Sequence, residues 1–182
     1  MNHAVSPGGF LSGVRVLQIG DGVSGSAAVA LLAALGAEAD RTPKTLRHRA
    51  GPLITSELGP EPAVDLVLDR QKRELEPSTA YDLRDYDIVI VDDADMVPAP
   101  VVGVVVVTVH ALGADGPAAG VRGGEITAQA SGGLLATIES RDSAPITAPG
   151  YVASRSVGAV AALAALHGLE RRNRESAAVC VD

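Results

Sequence analysis

The stretch from Val14 to Gly36, VRVLQIGDGVSGSAAVALLAALG, constrains the fold more than any other part of the chain. Val14, Val16, Leu17 and Ile19 form an apolar run too short for a helix and rich in β-branched side chains. That is the signature of a parallel strand buried on both faces. Gly20, Gly22 and Gly25 follow in the G-x-G-x-x-G spacing. There the missing Cβ lets the chain turn sharply and lets backbone N–H groups approach a ligand. Ser24 or Ser26 is expected to cap a helix that runs to Leu35 and ends at Gly36. Strand, glycine turn and Ala/Leu helix make the first βα unit of a Rossmann-like sheet, its helix N-terminus set to hold a phosphate or carboxylate.

The 182 residues suffice for one domain with a real core. Aromatics make up only 2% and Trp is absent, so that core must come from Ala, Val and Leu. So few aromatics argue against a stacking platform for single-stranded nucleic acid. The formal charge of −7, from 15 basic and 22 acidic residues, argues against nonspecific nucleic-acid binding as well. The lone Cys180 has no internal disulfide partner, which fits a reducing cytoplasm. It is read as an inert residue of a buried strand. The N-terminal MNHAVSPGGF lacks a signal layout, and no apolar run is read as approaching the ~18 residues of a membrane span. The expectation is a cytoplasmic protein without a membrane segment.

Residues 1–10, rich in Pro, Gly and Ser, read as a flexible N-terminus, and residues 11–182 as a single domain. Further strands are expected at Ala37–Arg41, Val64–Leu68, Tyr86–Val91, Val101–Val109 and Ala177–Val181. A Pro-rich surface connection spans Thr42–Pro62, and a shaped Gly/Pro loop spans Ala111–Gly124. Helices are expected at Glu125–Leu135, interrupted by Gly132 and Gly133, and at about Ser154–Arg172. Strands alternating with helices give an α/β, doubly wound, mostly parallel architecture. Asp92, Asp93 and Asp95 have no matching ligand spacing elsewhere, so a solvated loop is expected there and no metal. Asp40 lies near where a ribose-binding acid would stand, which keeps NAD as a less favoured ligand.

Several segments, in order along nearly the whole chain, resemble the family III CoA-transferases, a group that includes formyl-CoA transferases and α-methylacyl-CoA racemases. LSGVRVLQIG with LLAALGAEADR is similar to that family's first strand and helix. LDRQKREL is similar to its L-N-R-x-K-R-S turn. VTVHALGADGPAAGVRGGEITAQASGGL is similar to its S-G-F-G…Q-A-x-S-G-L stretch, APGYVASRSVGAVAALAALHGLERR to its P-G-x-x-x-A-D-x-x-x-G helix, and AAVCVD to its final strand. The resemblance implies a six-stranded Rossmann-like domain that binds the nucleotide end of CoA or acyl-CoA. It also implies partnership in a homodimer or with a separate protein subunit.

The resemblance also assigns site positions. CoA-facing positions fall at Val23, Ser24 and Gly25 in the glycine turn, and at Arg41, Leu68, Arg70, Lys72, Arg73 and Asp92. Arg70, Lys72 and Arg73 either grip CoA phosphates through charge-assisted bonds or form a solvated turn balanced by Asp69 and Glu74. The aspartate that carries the acyl group in the transferases corresponds to Ser154. Serine is un-ionised at neutral pH and needs an adjacent base. The racemase histidine corresponds to Gly124, and the N-F-R loop has become Asp92-Asp93-Ala94. The expectation is a pseudoenzyme: a degenerate domain that binds CoA or serves as a non-catalytic subunit. A carboxylate brought to Ser154 by another segment would count against it. The alternatives are an active transferase whose catalytic groups come from a partner chain, and an interaction protein with an empty pocket.

Overall fold

The computed structural model describes residues 8–44, 53–56, 59–138, 144–175 and 179–181. Six parallel strands form one sheet: β1 (Arg15–Ile19), β2 (Glu38–Arg41), β5 (Lys72–Glu74), β6 (Ile88–Val91), β7 (Val105–Thr108) and β8 (Val179–Val181). Their order is β5-β2-β1-β6-β7-β8, which reverses direction at β1/β6 in the Rossmann manner. The register sets Val16 beside Ile88 and Ile88 beside Val105, so each layer of the sheet is a row of branched apolar side chains. A two-stranded antiparallel ribbon, β3 (Leu53–Ser56) with β4 (Gly59–Pro62), stands apart within the Pro-rich connection. The rest of that connection, and the expected looseness of residues 1–7, lie outside the described residues.

Two long helices, α1 (Val23–Ala34) and α5 (Val152–Glu175), pack against each other and on one face of the sheet. Val16, Ile88, Ile90, Val105 and Val107 meet Ala28, Val29, Leu32, Ala161, Ala162 and Ala165 there. The helices can come this close because the contact is built from alanine and glycine. A Cβ on Gly158 would stand 2.7 Å from the Ser24 carbonyl oxygen. The opposite face, with Leu17, Ile19, Val89, Val91 and Val106, is covered by Leu75, Tyr86, Leu83, Val101 and Val104 from connecting segments. Gly9 sits on Gly36, whose φ is +106°, and Leu11 donates to the Leu35 carbonyl, so the chain is already docked by residue 9.

Four sequence expectations are corrected. Val64–Leu68 is not a strand but the centre of helix α2 (Ala63–Asp69). Its apolar residues also fit a helical stripe: Val64 and Leu68, one turn apart, pack with Val23 of α1, while Val67 is exposed. The third strand in sequence order within the sheet is instead the short, charged edge strand β5, Lys72–Glu74. Neither Ser24 nor Ser26 caps α1, because the cap residue is Gly22 and Ser26 is buried inside the helix. Cys180 is exposed, because alternation along the edge strand β8 turns Val179 and Val181 toward the core and Cys180 away from it. Finally, α5 is long and apolar enough by composition to cross a membrane. Its Ala161, Ala162 and Ala165, however, are buried in the core.

Candidate functional site

The carboxyl ends of β1, β6 and β7 open into a cleft of about 660 Å³, lined among others by Gly20, Gly22, Pro43, Tyr81, Asp92, Met96, His110, Val121 and Arg122. It lies at the switch point where this class of sheet places ligands. Arg122 is paired with Asp95, and Asp21 with Arg41.

The glycine turn is already filled. Asp92 leaves the end of β6, and its Oδ2 accepts from the Gly25 N–H at 2.9 Å. A Cβ on Gly22 would stand 2.7 Å from the Asp92 carboxyl carbon, and one on Gly25 2.8 Å from it. Gly20, at φ +106°, closes the same contact. A capping side chain normally serves this amide in the first turn. Here the cap residue is glycine, and a carboxylate from 67 residues away does the work.

A second polar centre lies beneath the turn. Asp69 meets Arg41 Nη1 at 2.7 Å, Lys72 Nζ at 2.7 Å and Lys44 Nζ at 2.8 Å. Burial alone would push the Asp69 carboxyl up, but the Lys72 charge, hydrogen bonds from Lys44 and Lys72, and the Arg41 charge hold it far below the usual carboxylate range. Lys72 also donates to Gln18 Oε1 at 2.8 Å and to the Ser26 carbonyl at 2.9 Å, and its side chain is fully buried. Arg73 points elsewhere, forking onto Asp40 at 2.9 and 2.8 Å. Tyr86 donates to that same carboxylate at 2.8 Å. Burial and the Asp40 bond push the Tyr86 phenol up to about 12.

The third centre is the start of α5. Glu125 opens α3 (Glu125–Ser131), which is followed by the short α4 (Leu134–Thr137). Its carboxylate accepts four hydrogen bonds. Gln129 Nε2 (2.7 Å) and Ala153 N (2.9 Å) donate to Oε1; Ser154 N (2.9 Å) and Ser154 Oγ (2.5 Å) donate to Oε2. Burial would raise its pKa, but the bonds from Ser154, Gln129 and Ala153 outweigh that and hold it below the ordinary value. Gln129 is buried and pairs in both directions with the Ala148 backbone, which fixes the loop before α5. Tyr151 in that loop is, among the described residues, the non-glycine residue held at positive φ, +57°. His167 lies three to four turns further along α5, roughly 20 Å from Ser154, and His110 lines the cleft.

The family model described as CoA-transferase family III matches residues 93–182. Among solved structures, a CAIB/BAIF family protein from Brucella suis superimposes with a TM-score of 0.80 at 19% identity, covering 96% of this chain and 52% of that one. A hypothetical protein (Rv3272) from Mycobacterium tuberculosis gives 0.69 at 21% identity, covering 96% and 54%. The chain is a family III CoA-transferase-like protein. It spans about half the length of these two solved structures. No curated protein matches it significantly.

Set on this CoA-transferase-like frame, the positions named from the sequence do not converge on one surface. Asp92 alone of the CoA-facing set lines the cleft. Gly25 is covered by Asp92, Val23 and Leu68 are packed together, Arg41 and Lys72 are locked onto Asp69, Arg73 is on Asp40, and Arg70 is exposed. Ser154, in contrast, does have a carboxylate beside it. Sequence reasoning missed Glu125, although it stands directly after Gly124, the position matched to the racemase histidine. Among the described residues, no group of three His, Cys, Asp or Glu is arranged to hold a metal.

Proposed function

We propose that this chain is a non-catalytic CoA-transferase-like domain that works as a subunit. The carboxylate that would count against this reading is present, since Glu125 stands beside Ser154; the reading rests instead on how fully that carboxylate is engaged. A carboxylate that attacks a thioester needs a lone pair aimed at it, and both Glu125 oxygens are committed to two donors each. With its pKa held down, Glu125 is also a weak base, so it does not activate the Ser154 hydroxyl. It serves instead as the anion at the N-terminus of a 24-residue helix. CoA thioesters are the ligand class the family implies. We place them in the cleft at the carboxyl ends of the strands, bound weakly, because Arg41, Lys72 and Arg73, expected to grip phosphate, are engaged with carboxylates. We assign the protein to the cytoplasm.

The test is CoA transfer from an acyl-CoA to a free carboxylic acid, with Ser154→Asp/Glu125→Gln as the companion variant. The wild type is expected to transfer nothing above the blank. Transfer by the wild type alone would overturn the reading. Transfer that appears only with an added partner chain would favour the version in which that partner brings the catalytic groups.

The subunit role has its own support. Val160 and Leu163, on the outward side of α5, are 65% and 66% exposed, with Val152 and Val157 flanking them. An apolar stripe on the longest helix is the kind of surface that a second copy or a separate subunit covers. Sedimentation of wild type and Leu163→Glu tests it: association lost in the variant supports the reading, and a wild-type monomer with no partner opposes it.

A further inference from the structure

We infer that Asp92 is a built-in occupant of the phosphate seat on the glycine turn, and that this turn therefore rejects phosphate ligands. The inference stands apart from the proposed function, because it concerns any phosphate, whatever molecule carries it.

The turn has the parts of an anion seat: a 12-residue helix with its first amides uncapped by its own side chains, and three glycines that leave the backbone bare. Glycine at these positions is usually explained by a ligand that must come within contact distance. In this chain the contacting group is internal. The Asp92 carboxylate lies where Cβ atoms on Gly20, Gly22 and Gly25 would stand, and it takes the Gly25 N–H at 2.9 Å. The glycine spacing is thus required by the protein's own aspartate and needs no nucleotide to account for it. A phosphate reaching this seat would have to displace a tethered carboxylate. It would also have to approach Asp21 and Asp93, which line the same cleft. Like charges brought together in this way oppose binding. A ligand of the cleft consequently keeps its phosphates away from the turn.

Titration with inorganic pyrophosphate, followed by the amide resonances of Gly22 and Gly25, reads this directly. The wild type is expected to leave both resonances in place. Asp92→Ala empties the seat, and Asp92→Asn keeps its size and its acceptor while removing the charge. Asp92→Ala is expected to bind pyrophosphate at least about tenfold more tightly than the wild type, with both amides shifting, and Asp92→Asn, still seated on the turn but neutral, is expected to fall between the two. Should Asp92→Ala fail to fold, Asp92→Asn supplies the comparison. The inference is overturned if the wild type binds as tightly as Asp92→Asn with the Gly25 amide moving, or if the folded variants do not bind.

Discussion

Replacing Asp69 by asparagine removes the anion shared by Arg41, Lys44 and Lys72, while keeping the side chain's size. Two of those cations have almost no access to water, with side-chain exposures of 2% for Arg41 and 0% for Lys72. Arg41 keeps Asp21 at 3.3 Å, and Lys72 keeps the neutral oxygens of Gln18 and Ser26 but loses the anion at 2.7 Å. Breaking a buried ion pair by removing one partner costs about 3–5 kcal/mol. For a domain of this size that lowers the melting temperature by on the order of 10 °C. The pH dependence has a definite sign. The folded Asp69 carboxyl titrates far below its ordinary value, so its contribution is fully present above the unfolded pKa of about 3.9. It is lost progressively as pH falls from there toward the folded pKa. Urea unfolding at neutral pH and at steps below pH 4 should show a gap between wild type and Asp69→Asn that is wide at neutrality and narrows in acid. A loss below about 1 kcal/mol at neutral pH, typical of an exposed pair, would refute the argument that this network is buried and coupled.

Gly158→Ala inserts a methyl group between α5 and the Ser24 carbonyl of α1 and should cost about 1–3 kcal/mol in denaturant unfolding, although alanine is the better helix former. Glu125→Ala strips the N-terminus of α5 of its anion and leaves Ser154 and Gln129 donors unpaired. A loss of about 1–3 kcal/mol is expected, shrinking as pH falls through the lowered Glu125 pKa, with Glu125→Gln recovering part of it in the same urea titration. In an alkaline absorbance titration, the difference between wild type and Tyr86→Phe should be a step near pH 12. The variant should also lose about 1.5–3 kcal/mol at neutral pH with the bond to Asp40.

The strands that carry the sheet were legible because their chemistry is local. YDIVIV and the valine run before Thr108 admit few readings other than buried parallel strands, and β6 and β7 stand inside those segments. The Ala-rich segment before Arg172 became α5 in the same way. Val64–Leu68 misled because seven residues are too few to separate period 2 from period 3.6, and contact with Val23 decided for the helix. The site was less legible, because its partners come from distant parts of the chain. Nothing near Gly25 in sequence announces that Asp92 will occupy its turn, and nothing near Ser154 announces Glu125, 29 residues earlier. The cluster Arg70-Lys72-Arg73 looked like one basic patch. Strand alternation at β5 turned Lys72 inward onto Asp69 and Arg73 onto Asp40.

The contact between α1 and α5 is made largely of Ala27, Ala28, Ala161, Ala162, Ala165 and Gly158. These residues have no χ rotamers to freeze, so the layer forms without the side-chain entropy loss that Leu or Met would incur. The same property removes any means of adjustment. A layer of larger side chains can take up an added methyl group by switching rotamers, whereas here only the helix axes can move. Because α5 is also the helix whose first residues hold Glu125, a size change near Gly158 is transmitted as a displacement of that carboxylate clamp. Substitutions in this layer are therefore expected to be tolerated only in compensating pairs, one helix shrinking where the other grows.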